Sequence, residues 1–212
     1  MVENITHWYD GRFYDLLIAP NQDRAFEKIK EFIPKGSSLL DAGCGTGRLC
    51  FGLQGICKRI DGVDASEKNI LTAKNNLKRQ PHDNITFYNS DIKSFLEKKE
   101  IKDKYDFAVL SYVIHEISER KRANILNLLS SYADKIIIID YLVPHPKSIA
   151  GMINRVVEFL AGKNHNRNFK TFLKNNGIYG LSEETGLKII REIKNEPKTA
   201  HIVVFSKSEN YY

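Results

Sequence analysis

Apolar residues in this chain fall into short runs separated by polar stretches, and the runs alternate between two periods. Leu39-Leu40 and residues 60–63, 85–88, 105–110 and 135–142 are brief and rich in β-branched or aromatic side chains, which predicts strands. Between them Leu49, Cys50 and Leu53, then Ile70, Ala73 and Leu77, then Ala123, Leu126 and Leu129 recur at helical spacing. Ahead of the first strand, residues 24–33 put Phe26, Ile29 and Ile33 on one helix face, and Pro34 to Gly36 stop that helix. The run of isoleucines at 136–139 suits a strand buried on both faces.

Strands alternating with helices at this rhythm predict an α/β fold with a parallel sheet and right-handed crossovers. Ligands of such sheets bind outside the carboxyl ends of the strands. Asp41, Asp64, Asp91 and Ser111 stand at four of those predicted ends, so four strands converge on one crevice. Residues 144–180 break the rhythm. Ile149, Ile153, Val156 and Leu160 predict one amphipathic helix, and Phe169, Phe172 and Leu173 a second, stopped by Gly177. Two helices inserted there predict a cap over the crevice. Trp8, Tyr9, Phe13, Tyr14, Leu16 and Leu17 make residues 1–36 a candidate N-terminal helical lid on the same single domain, 1–212. At the other end, residues 188–193 and 200–205 read as an antiparallel pair across Asn195-Glu196-Pro197-Lys198.

The first predicted strand runs into Asp41, Gly43, Gly45 and Gly47. Glycine allows positive φ and close approach of a ligand to the backbone. Dinucleotide folds place their glycines as G-x-G-x-x-G, whereas here the third glycine comes one residue early and a carboxylate precedes the first. That carboxylate suits a cationic ammonium group and would repel a pyrophosphate. D-x-G-x-G-x-G resembles motif I of the class I S-adenosylmethionine-dependent methyltransferases. The resemblance extends over roughly residues 37–205 by element order. It implies a seven-stranded, mostly parallel, Rossmann-like sheet of order 3-2-1-4-5-7-6 with an antiparallel C-terminal strand. It also implies S-adenosylmethionine as cofactor. The backbone of Gly43, Cys44 and Gly45 would pass along its methionine part, with Gly47 completing the turn and Asp41 near the ammonium. Asp64 would take the ribose hydroxyls, Asp91 the adenine amino group and the Ile92 N–H the ring, with Ala65 and Ile92 flanking the adenine and Ser111 closing the site.

On the acceptor side, His115 follows the fourth strand and His165 lies in the predicted cap; both are candidate catalytic residues, as general base or in positioning the acceptor. Arg155 and Glu158, three apart on a helix, can pair with each other. The chain carries a formal charge of +6, spread as lysines among acidic residues. Such a charge allows a nucleic-acid acceptor. Against that acceptor, Ser111-Tyr112-Val113 lacks the Asn/Asp-Pro-Pro-Tyr/Phe motif of enzymes that methylate exocyclic amines, and no Pro-Cys follows the fourth or fifth strand. A small-molecule acceptor is therefore the expectation. The alternatives are an RNA methyltransferase and a catalytically silent cofactor-binding subunit. Cys44, Cys50 and Cys57 show no metal-ligand spacing, so no metal is expected, and they read as reduced thiols of a cytoplasmic protein. No apolar run is long enough to span a bilayer.

Overall fold

A computed structural model describes residues 19–98, 104–194 and 198–207. The aromatic residues of the expected N-terminal lid and the turn at 195–197 lie outside the described residues. The element order is α1 (Ala19–Lys30), β1 (Ser38–Ala42), α2 (Arg48–Leu53), β2 (Arg59–Asp64), α3 (Glu67–Arg79), β3 (Ile85–Asn89), α4 (Ile92–Lys98), β4 (Tyr105–Ser111), α5 (Glu119–Tyr132), β5 (Ala133–Tyr141), α6 (Ile149–Leu160), α7 (Lys163–Lys174), α8 (Gly177–Thr185), β6 (Lys188–Lys194) and β7 (Ala200–Ser206). One seven-stranded sheet results, in the order β3-β2-β1-β4-β5-β7-β6. β1 to β5 are mutually parallel, while β7 runs antiparallel to both β5 and β6. The expected sheet is thus the observed one.

Successive residues of a strand point to opposite faces, and this sheet buries both. On β5, Ile137 and Ile139 join α1, α2 and α3 in one core. Ile136 and Ile138 join α4, α5, α7 and α8 in the other. All four isoleucines are buried.

The segment after β5 holds three helices where the spacing predicted two. Gly177 begins α8 rather than ending α7; Asn176 (φ 60°) and Gly177 (φ 57°) both turn left-handed there, so the chain reverses and restarts within two residues. Ile178 and Leu181 of α8 reach the α5 side of the core. Phe169 and Phe172 of α7 are buried in the same core.

Arg122, on the buried face of α5, ties these parts together. Its Nε donates to the carbonyls of Ile114 (3.1 Å) and Ile117 (2.9 Å). One terminal nitrogen donates to the carbonyls of His115 (3.2 Å) and Asn168. A buried guanidinium is tolerated because four backbone carbonyls and the Thr171 hydroxyl accept from it. Arg122→Met keeps the length and removes all of these donors. We expect it to lower stability to urea by at least about 2 kcal/mol, since charged hydrogen bonds are lost and buried carbonyls orphaned. Urea unfolding followed by circular dichroism measures this.

Candidate active site

At the carboxyl end of β1 the chain turns sharply and is pinned to β2. The N–H groups of Gly43 (2.7 Å) and Cys44 (3.0 Å) both donate to the Val63 carbonyl, and the Gly47 N–H donates to the Cys44 carbonyl (2.9 Å). Gly43, Gly45 and Gly47 all have positive φ. Two of them show different demands. A Cβ on Gly43 would lie 2.4 Å from a Val113 methyl, so that glycine serves packing; a Cβ on Gly45 would meet nothing within 4 Å, so that glycine borders open space.

Asp64, at the end of β2, braces this turn. Its Oδ2 accepts from the Gly45 N–H (2.9 Å), and its Oδ1 accepts from the Ser66 N–H (2.8 Å) and the Asn69 amide (3.4 Å). It remains half-exposed, with acceptor capacity left. Asp91 is exposed and caps α4, its Oδ1 accepting from the Ser94 N–H (2.9 Å). Ala65 is exposed beside Asp64, and Ile92 is half-buried at the start of α4. The Ser111 hydroxyl, at the end of β4, is buried and has no hydrogen-bond partner. Tyr112 follows at φ 57°, its N–H held by the Ile139 carbonyl at 2.7 Å. A left-handed aromatic residue is uncommon and clusters at functional turns.

Asp41 lies deeper, 1 % exposed, with the Cys50 thiol donating to its Oδ2 at 3.2 Å. Burial pushes its pKa up from an ordinary 3.8 to about 7; the thiol bond works against that and nearby Asp64 adds to it. The three cysteines are free and buried, and burial raises every one of their pKa values.

A second polar cluster occupies the ends of β4 and β5. His115 Nδ1 meets Asp140 Oδ1 at 2.8 Å, and His115 Nε2 lies 3.5 Å from Glu158 Oε1 on α6. Tyr141 donates its hydroxyl to Glu158 Oε1 (2.7 Å), and His165 Nε2 of α7 lies 2.5 Å from Glu158 Oε2 and 3.7 Å from Glu116. Glu158 is 4 % exposed, so the solvated pairing with Arg155 expected from helical spacing does not form; Arg155 stays outside. Burial disfavours charge on His115, but Asp140 and Glu158 outweigh it and hold its pKa well above that of an ordinary histidine. Burial likewise works to raise Glu158, and the two histidines outweigh it, holding the carboxylate below its usual range. Both carboxylates favour the protonated ring, and these contacts anchor His115 through both of its nitrogens. The ligand atoms of His115, Glu158 and His165 lie within 4.8 Å of one another, a set able to hold a divalent ion.

A mostly parallel sheet in this strand order, with a left-handed glycine turn braced by a β2 carboxylate, is an arrangement of nucleotide-binding α/β folds. Residues 33–208 match the profile of a family described as "Methyltransferase domain", and the chain belongs to that family. It is an S-adenosylmethionine-dependent methyltransferase. It resembles the magnesium protoporphyrin IX methyltransferase ChlM of Synechocystis PCC 6803 with bound S-adenosylhomocysteine: TM-score 0.65 and 20% identity over 95% of this chain and 91% of that one. It also resembles the mitomycin 7-O-methyltransferase MmcR (TM-score 0.64, 16% identity, 91% of this chain and 54% of that one). A third likeness is a SAM-dependent methyltransferase from Aquifex aeolicus (TM-score 0.59, 18% identity, 92% and 93%). At these identities the likeness is one of fold. No functionally curated protein matches the chain by sequence.

The Asp41 shift carries a sign. Between about pH 4 and about pH 7 the native state keeps a proton on Asp41 that the unfolded chain has released, so stability falls as pH rises through that window. Asp41→Asn cannot ionise and still accepts from Cys50. Its melting temperature, relative to the parent's, is expected to gain between pH 5 and pH 8, measured by thermal unfolding across that range.

Proposed function

We propose that this enzyme methylates a small-molecule acceptor held between the ends of β4 and β5 and a cap made by residues 144–180. The observation that carries this reading is Glu158. A carboxylate on α6 is buried against Tyr141, His115 and His165, so the inserted helices are fastened to the carboxyl edge of the sheet, where ligands of such folds bind.

The cofactor side is built from backbone. S-adenosylmethionine fits the residues present on two observations, the open space at Gly45 and the unpartnered Ser111 hydroxyl. In this reading Gly43, Cys44, Gly45 and Gly47 border its methionine part, and Asp41 lies near the ammonium, directly or through water. Asp64 accepts from the ribose, Ala65 and Ile92 flank the base, and Asp91 accepts from the adenine amine with the oxygen its capping bond leaves over. When bound, the cofactor supplies a methyl on a cationic sulfur for in-line displacement. The chain contributes alignment and exclusion of water. His115 and His165 are positioning residues here: they fix Glu158 and Tyr141, and these set the acceptor wall. The buried thiols support a reducing, cytoplasmic setting.

Incubation with isotopically labelled cofactor and metabolite extracts, followed by mass identification of the labelled product, tests the reading. A label confined to RNA would overturn the small-molecule acceptor, and tight cofactor binding with no labelled product would favour a silent subunit.

Two variants probe the cofactor side. Gly45→Val fills the open space with a β-branched side chain at φ 54°, and binding of S-adenosylhomocysteine should be lost. Asp64→Ala should weaken binding by about 1.5–3 kcal/mol and also cost some stability, because it frees the Gly45 and Ser66 N–H groups. Calorimetric titration reads both.

On the acceptor side, Glu158→Gln keeps an acceptor for Tyr141 and removes the charge that holds both histidines. Turnover of the identified acceptor should fall at least about tenfold with cofactor affinity unchanged. Equal losses in both would mean that the cluster serves the fold alone.

A further inference from the structure

The helix that carries Glu158 is turned inside out. Its inward residues are Gly151, Asn154 and Glu158, and its outward residues are Ile149, Met152, Ile153, Val156, Phe159 and Leu160. At about 100° per residue those six fill an arc of about 120°, centred opposite Glu158. They are 46–78 % exposed and make up six of the eight large exposed apolar side chains among the described residues. The orientation is fixed by polar contacts on the inner face. Asn154 donates to Thr199 (2.6 Å), Glu158 holds Tyr141 and His165, and the Gly151 carbonyl meets His145 Nε2 (3.1 Å). A Cβ on Gly151 would strike the Pro146 carbonyl, so the helix also sits too close for a larger residue. The apolar arc cannot turn inward without unpairing Glu158 and Asn154.

The exposed charge of α6, α7 and the residues just before α6 has one sign. Lys147, Arg155, Lys163, Arg167, Lys170 and Lys174 are all exposed, and the only acid anywhere in 141–182 is the buried Glu158. Six cations against one carboxylate leave this segment with five of the chain's +6. Four of these cations, Lys163, Arg167, Lys170 and Lys174, lie on α7, with Arg155 on α6 and Lys147 just before it.

We propose that this face is a docking surface for a bilayer containing anionic lipid, with α6 lying in the headgroup region and its apolar arc immersed. An exposed aliphatic arc flanked by lysine and arginine is the pattern of an interfacial helix, and no helix among the described residues is long and apolar enough to cross a membrane. The charge decides among partners. A second copy would bring a like-charged face against this one. A nucleic acid would satisfy the cations and leave five aliphatic side chains and one phenyl ring in water, without the aromatic platforms that stack bases. A leaflet satisfies both. This deepens the proposed function and, for the acceptor alone, rests on it: the helix whose inner face borders the acceptor wall has its outer face in lipid, so the acceptor is an amphiphile drawn from the leaflet.

Co-sedimentation of the full chain with extruded vesicles tests the docking without any turnover. Vesicles of equal parts phosphatidylglycerol and phosphatidylcholine should bind at least about tenfold more protein than pure phosphatidylcholine, and salt should weaken the binding. The triple variant Met152→Ser, Val156→Ser, Phe159→Ser should lose that binding, as should Lys163→Glu, Arg167→Glu, Lys170→Glu, both with unchanged affinity for S-adenosylhomocysteine. Equal binding by the parent and either triple variant would overturn the proposal. So would no vesicle binding by a parent that light scattering shows as a dimer dissociated by the serine changes, or by a parent that binds a mixed-sequence RNA. Vesicle binding with labelled product only in the aqueous phase would keep the docking surface and overturn the amphiphilic acceptor.

Discussion

The burial of one carboxylate organises the carboxyl ends of β4 and β5 and the helices packed on them. Glu158 sits in a region where a lone charge would cost far more than the helix carrying it gains, so its partners must come to it. They come from three elements: Tyr141 from the end of β5, His115 from the turn after β4, and His165 from α7. Asp140 supports the arrangement from behind by holding His115 Nδ1. Because each partner is fixed by the sheet or by α7, the carboxylate dictates how α6 is rotated. Arg122 does the same for the neighbouring backbone, tying the turn after β4 to α7 through carbonyl oxygens.

The candidate cofactor side follows another logic. Its turn is held by backbone N–H groups and by Asp64, and it contributes shape more than side-chain chemistry. Methyl transfer suits such a division. The reacting carbon arrives activated, so the protein's task is alignment and a dry environment, and one end of the sheet can be rigid for the cofactor while the other is closed by inserted helices.

Much of this was legible in the sequence, for identifiable reasons. Period and punctuation specify strands and helices, and the polar residues at the strand ends followed from them: Asp41, Asp64 and Ser111 sit at the ends of β1, β2 and β4, with Asp91 just past β3. The glycine turn was readable because a left-handed backbone narrows the choice of residue. Rotation of α6 was not readable. Ile149, Ile153, Val156 and Leu160 share a face by spacing, but spacing does not say whether that face points in or out; here the polar contacts of Glu158 and Asn154 decide it. Arg155 and Glu158 looked like a local pair because the sequence contains no trace of Tyr141 and His115 waiting across space. The third helix was hidden because Gly177 is equally good punctuation at an end or at a beginning. The single acid in 141–182 was the signal within reach, and counting charge by segment would have raised it.

A helix with its apolar side in water gains little from the hydrophobic effect, since burial of such side chains is what normally holds a surface helix in place. The hold on α6 is therefore a few polar contacts on its inner face, while α7 is anchored by Phe169 and Phe172 in the core. Elements attached in this way open more readily than the sheet beneath them. Any surface that covers the arc adds the missing burial and stabilises the helix in the orientation that keeps Glu158 against His115 and Tyr141. Because one rigid helix joins the two faces, coverage outside and order inside are linked: whatever favours one must favour the other by the same free energy. The inverted helix is thus a physical connection between the surroundings of the enzyme and the wall of its candidate acceptor site.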